Sequence, residues 1–175
     1  AYKLLELQKR TRALRRGDVV LDLGAWPGGW LQVAAEIVGP TGRVVGVDKA
    51  AIDPLPARQI AVLRDDVTDA ECAARLAEAL GRRADVVLSD LAPKLTGIGP
   101  RDAAQSELLS QATLRIVERG LRNGGTLITK TLGGPEGEAA RAEESDRILS
   151  KLDRDAFVVL LDERGQNVDS PALAS

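Results

Sequence analysis

The sequence contains no histidine, a single cysteine, and aromatic residues at only 2% of its 175 positions. Each shortage excludes something. Without imidazole there is no histidine general base, no Ser-His-Asp triad and no ordinary zinc site, so proton transfer falls to Lys, Asp, Glu or Tyr. Cys72 alone can form neither an internal disulfide nor a cysteine-cluster metal site, and no metal is expected. With so few rings, the core must be built from Leu, Val, Ile and Ala. No apolar run approaches the roughly 20 residues a membrane span needs. Nothing reads as a signal peptide, so a cytoplasmic protein without membrane contact is expected. The chain opens at Ala1 without a methionine, which leaves room for a missing N-terminal piece.

What is present reads as globular. Apolar residues make up 44% and charged residues 29% of the chain, and the length suits one domain, residues 1–175, expected to be a monomer. Net charge is −2, but its distribution is uneven. Residues 1–16 carry Lys3, Lys9, Arg10, Arg12, Arg15 and Arg16 against Glu6 alone, whereas residues 135–175 are dominated by acids. A basic N-terminal helix could meet phosphates, or could be an ordinary solvated face.

Short apolar runs alternate with helical patterns. Tyr2–Leu14 is predicted helical, with Leu4, Leu7 and Leu14 at helical spacing and Gly17-Asp18 as its stop. Strands are predicted at Val19–Leu23, Arg43–Val47, Ala61–Leu63, Asp85–Leu88, Thr126–Thr129 and Phe157–Leu161. Helices are predicted at Trp30–Val38, Ala70–Leu80, Asp102–Leu121 and Glu138–Leu152, with a turn at Asn123-Gly124-Gly125 and a polar tail from Asp162. This alternation implies an α/β fold with a mostly parallel sheet and helices on both faces.

Three constellations carry the chemistry. Leu21-Asp22-Leu23-Gly24-Ala25-Trp26-Pro27-Gly28-Gly29-Trp30 runs from a buried strand through a glycine-rich turn into a helix. Such a turn lets a ligand approach the backbone, and the helix start offers free N–H groups. Dinucleotide-binding folds have a comparable turn, but the spacing here is not G-x-G-x-x-G. Asp48, Asp66 and Asp90 follow the second, third and fourth strands, at the sheet edge where such folds bind ligands. Singly each is an ordinary loop acid; together, beside the glycine turn, they form a candidate site. Lys130 ends the fifth strand at the same edge, either as a solvated strand end or as a base made usable by partial burial or a neighbouring cation.

These residues resemble the FtsJ/RrmJ-type RNA 2′-O-ribose methyltransferases, which have a Rossmann-like class I fold. Ala1-Tyr2-Lys3-Leu4-Leu5-Glu6-Leu7 is similar to that family's opening helix, and Asp22–Trp30 to its cofactor loop. Ser89-Asp90-Leu91-Ala92-Pro93 with Lys94–Gly97 is similar to its S-D-x-A-P-x-x-(S/T)-G segment, and Gly124–Lys130 to its strand ending in a catalytic lysine. The resemblance covers about residues 1–134. It implies S-adenosylmethionine as cofactor, lined by Gly24, Ala25, Trp26, Pro27, Gly28, Gly29, Trp30, Asp48, Asp66 and Asp90. It implies RNA as partner, ribosomal RNA or a ribosomal particle in particular. Of the family's Lys-Asp-Lys-Glu catalytic set, the first three map onto Lys3, Asp90 and Lys130. Lys130, made more acidic by Lys3 and partial desolvation, would take the proton of a ribose 2′-hydroxyl, with Asp90 aligning base and donor.

After Gly134 the expected S-R-x-x-S-x-E pattern is absent. Glu138–Ser175 instead resembles the middle of RlmH-type ribosomal RNA methyltransferases, without the segment that would bind their cofactor. Glu163, after the sixth strand, is a candidate for the missing glutamate, the alternative being a surface acid. The rival readings are a donor-binding protein with little or no catalysis that acts as an RNA-binding module, a class I methyltransferase for small molecules or proteins, and a nucleotide-dependent oxidoreductase.

Overall fold

The computed structural model describes residues 2–91, 96–130, 156–161 and 167–169. The elements run α1 (Tyr2–Thr11), β1 (Val19–Leu23), α2 (Gly29–Val38), β2 (Arg43–Asp48), β3 (Ile60–Arg64), α3 (Cys72–Leu80), β4 (Ala84–Ser89), α4 (Gly99–Gly120), β5 (Leu121–Lys130), β6 (Phe157–Leu161) and β7 (Asn167–Asp169). They form one seven-stranded sheet in the order β3-β2-β1-β4-β5-β6-β7. Neighbours from β3 to β6 pair in parallel, and β7 pairs antiparallel with β6. The predicted α/β architecture is therefore the observed one.

The central strand explains itself. All five residues of β1, Val-Val-Leu-Asp-Leu, are buried, as a parallel strand covered on both faces requires. Its side chains alternate between two cores. Val19, Leu21 and Leu23 join one with α3 and α4 residues such as Leu76, Leu80, Leu114 and Val117. Val20 joins the other, with Leu4 and Leu7 of α1 and Leu31, Ala34 and Val38 of α2. Each face thus carries two of the described helices.

Several boundaries differ from the sequence expectation. Helix α1 ends at Thr11 rather than Leu14. Arg12 takes a positive φ of 50°, and the Gln8 side chain bonds both the N–H and the carbonyl of Leu14 at 2.9 and 2.7 Å. Leu14 is buried as its spacing suggested, but from a turn. Helix α4 starts at Gly99, three residues before the predicted Asp102, with Pro100 in its first turn. Asp102 accepts hydrogen bonds from Thr96 N, Thr96 Oγ1 and Gly97 N, which ties the preceding loop to the helix. Asn123-Gly124-Gly125, predicted as a turn, lies within β5. Ala84 pairs with Leu121 and Val86 with Thr126, so the extra residues are taken up as a bulge. β7 falls within the tail that was read only as polar. The predicted helix Glu138–Leu152 and Glu163 lie outside the described residues.

Candidate functional site

Every carboxyl-edge element of the glycine turn is tied to its neighbours. Gly24 N and Ala25 N both donate to Val47 O at the end of β2, at 3.0 and 3.1 Å, and Asp90 N donates to Leu23 O at 3.0 Å. Trp26 N donates to Asp48 Oδ2 at 3.0 Å, and Ala50 N to Asp48 Oδ1 at 2.8 Å. The ends of β1, β2 and β4 are thereby locked into one rim, made largely of backbone.

Two glycines of the turn are required by geometry. Gly24 has φ +80°, and a Cβ there would stand 3.1 Å from Leu91 and 3.2 Å from the Asp90 backbone. Gly28 has φ +102°, and a Cβ there would stand 3.2 Å from Ile52 and 3.3 Å from Leu55. A side chain would be strained at either position and crowded against these neighbours. Gly29 then opens α2 with its free N–H groups toward this edge. Ala25 is buried beneath the turn, Trp26 is 60% exposed, and Trp30 packs partly into the core under α2.

The acids predicted for the site meet at this edge. Asp48 ends β2 and Asp90 follows β4. Asp66 follows β3, where it accepts from Thr68 N and Thr68 Oγ1 at 2.9 and 2.7 Å. Sequence reasoning missed its other partner. Lys49, the residue after Asp48, reaches over from β2 to pair with Asp66 Oδ2 at 2.8 Å. The bonds from Lys49 and Thr68 together hold the Asp66 carboxyl below its usual range against the opposing effect of burial.

The larger omission is Asp22. It was quoted only as part of the turn motif, yet it is 1% exposed and both its carboxylate oxygens lack a hydrogen-bond partner. Burial first, and then the charges of Asp90 and Asp48, push its carboxyl up to about 8, so it is neutral at pH 7. The available signal was an acid interrupting a fully apolar strand.

Lys3 is exposed on the first turn of α1, a helix anchored through Leu4 and Leu7 on the same sheet face as Leu88 and Ile128. Lys130 ends β5, paired through its backbone with Leu161 and one residue past the Thr129–Ser89 pair, which brings its backbone level with Asp90. Among the described residues no group of His, Cys, Asp and Glu is arranged to hold a metal ion.

A mostly parallel α/β sheet with a left-handed glycine turn after β1, an acid ending β2 and acids after β3 and β4 defines a Rossmann-like class I methyltransferase domain. The chain matches the family model of FtsJ-like methyltransferases over residues 1–154, and it belongs to that family. The match runs past Gly134, where the resemblance in the motifs stopped. The chain is 49% identical over 134 residues to the ribosomal RNA large subunit methyltransferase E of Methanothrix thermoacetophila, covering 77% of this chain and 51% of that protein. It therefore spans about half the length of that relative. Among solved structures it is similar to a Plasmodium falciparum protein assigned as a ribosomal RNA methyltransferase, with TM-score 0.70 and 26% identity over 85% of this chain and 82% of that one. It shares its fold with Aeropyrum pernix fibrillarin, solved with bound S-adenosylmethionine, at TM-score 0.59 and 20% identity over 79% and 58% of the two chains.

Proposed function

We propose that this chain transfers a methyl group from S-adenosylmethionine to a ribose 2′-hydroxyl of RNA, with large-subunit ribosomal RNA as substrate. The observation that carries the reading is the joining of the glycine turn to Asp48, Asp66 and Asp90 on one sheet edge, with Lys130 ending the neighbouring strand level with Asp90. The residues suit the cofactor. Gly24 and Gly28 let the turn take a left-handed conformation that a side chain would strain, and the carboxylates match a ligand that carries hydroxyls and positive charge. When bound there, S-adenosylmethionine supplies an electrophilic methyl group on a cationic sulfur.

In this reading the residues Gly24 to Trp30 line the cofactor with their backbone. Asp48 takes hydrogen bonds from ribose hydroxyls, and Asp66 lines the adenine end. Lys130 accepts the 2′-hydroxyl proton, Asp90 aligns lysine and donor, and Lys3 adds a second positive charge beside the RNA. Residues 1–175 act as one domain and as a monomer in the cytoplasm. No described helix is long and apolar enough to cross a membrane, in keeping with an RNA partner rather than a lipid one.

The test is methyl transfer to ribosomal RNA alongside calorimetric donor binding. Lys130→Ala is expected to slow transfer by roughly a hundredfold or more, while donor affinity changes by less than about twofold because the lysine serves the acceptor. Full activity in that variant would remove Lys130 as the base. Donor binding without transfer by the unsubstituted protein would leave a donor-dependent RNA-binding module. No binding at millimolar donor would end the reading altogether.

A further inference from the structure

Asp22 is the only Asp, Glu, Lys or Arg side chain that is buried among the described residues. No fold requirement puts it there. Its Cα is in register with Gly46 of β2 and Leu88 of β4, and both its oxygens are without a partner. A leucine or valine would fill a strand interior at lower cost than a desolvated carboxyl.

Its position gives it a use. Asp48 stands two residues beyond Gly46 and Asp90 two beyond Leu88, so both continue the sheet face to which Asp22 belongs. Asp22 lies one pleat step below them, under the turn that begins at Gly24. The charges of Asp90 and Asp48 already act on it and oppose its ionisation. Coulomb interaction through a buried region is reciprocal and weakly screened. A cation brought between Asp48 and Asp90 must therefore favour the ionised form of Asp22, against both the two carboxylates and burial.

We propose that Asp22 is the counter-charge by which the donor site distinguishes a cationic methyl donor from its neutral-sulfur product. The inference rests on the donor-site reading above. The donor binds with Asp22 ionised, and one proton leaves the protein. The product, which has lost the positive charge on sulfur, binds with Asp22 neutral. The site thus holds donor more tightly than product above neutrality, and product leaves more readily. No other described residue offers this device, because Asp48, Asp66 and Asp90 stand at the rim rather than in the interior.

Binding of S-adenosylmethionine, S-adenosylhomocysteine and sinefungin, in which an amine-bearing carbon replaces the sulfonium, is measured by calorimetry from pH 6 to pH 8 in buffers of different ionisation enthalpy. For the protein as it stands, the two cationic ligands are expected to release up to one proton at pH 7 and to bind more tightly as pH rises, by as much as about tenfold per pH unit. The product's affinity is expected to change by less than about twofold. The donor's own ammonium would take protons up in a carboxylate-lined site, the opposite sign, so net release identifies Asp22. Asp22→Asn is expected to abolish both the release and the donor preference. Proton release without variant data already supports the inference if Asp22→Asn does not fold. Binding of all three ligands with equal pH dependence, or an Asp22→Asn variant that keeps the release, overturns it while leaving the donor site standing. Binding of none overturns both.

Discussion

At the scale of single residues, Asp22 makes a claim about stability as well as about ligands. Its carboxyl is pushed up to about 8 in the folded chain, while in the unfolded chain it returns to the ordinary value near 4. Between those two values the folded state binds more protons, so stability must fall as pH rises, at most on the order of 1 kcal/mol per pH unit. Asp65, Asp66 and Asp85 act in the opposite sense. Their folded values lie below the ordinary one, so their contribution is present above about pH 4 and is lost on further acidification. The chain is thus expected to lose stability below about pH 4 through the paired carboxylates and, through Asp22, progressively as pH rises from about 4 to about 8. Asp22→Asn keeps the size and neutrality of the buried group but cannot ionise. Urea midpoints at pH 5, 6.5 and 8 should decline in the unsubstituted chain and stay level in the variant. Parallel curves would show that Asp22 is not the titrating group. The absolute offset between the two proteins is a separate matter, because an asparagine amide would be equally short of partners.

At the scale of elements, α2 sits on the sheet through a close approach that a glycine permits. A Cβ on Gly46 would stand 2.7 and 2.8 Å from the Leu31 methyls and 3.0 Å from Ala25 Cβ. Leu31 is fully buried, and Ala25 is a buried residue of the glycine turn. Gly46→Ala is therefore expected to cost about 1–3 kcal/mol, as overpacked cores do, and to weaken donor binding by lifting the turn from β2. Gly120→Ala is the matched control. It ends α4 with nothing within 4 Å of the added carbon and no positive φ, so thermal unfolding should change little. Equal losses in the two variants would show that helix placement does not depend on the Gly46 contact. The same scale explains what could be read in advance. The runs Val19–Leu23 and Phe157–Leu161 are uninterrupted by glycine or proline, and both strands fall where the pattern put them. Helix α1 was overextended because burial of Leu14 mimics helical periodicity, whereas the chain has already turned at Arg12 under the Gln8 side chain. Asp48, Asp66 and Asp90 were visible because each closes a strand. Lys49 was not, since its partner lies across the β2–β3 pair, and neither was the solitude of Asp22, which depends on what three strands and a turn leave around it.

At the scale of the whole molecule, the charge distribution poses a problem that the proposed function must solve. The chain carries net charge −2 and the proposed donor site is lined by carboxylates, so an RNA approaching that edge would meet repulsion. The compensating charge lies in the first 16 residues, where Lys3, Lys9, Arg10, Arg12, Arg15 and Arg16 are all exposed. Lys3 opens α1, whereas Gly17, just past the last arginine, donates to Val38 O at the far end of α2. A 10-residue helix is about 15 Å long, so phosphates along more than one nucleotide can be met in sequence. RNA affinity should therefore fall steeply with salt, and each phosphate that is no longer neutralised should reduce the slope of log K against log salt by about 0.7. The double variant Lys9→Ala with Arg10→Ala is expected to flatten that slope by about 1.4 and to leave donor affinity unchanged. Arg115→Ala with Arg119→Ala removes the same charge from exposed positions of α4, on the opposite sheet face, and should leave the slope as it was. Equal changes in both double variants would mean that net charge alone attracts the RNA. A change only in the α4 variant would place the RNA on the other face, away from Lys3.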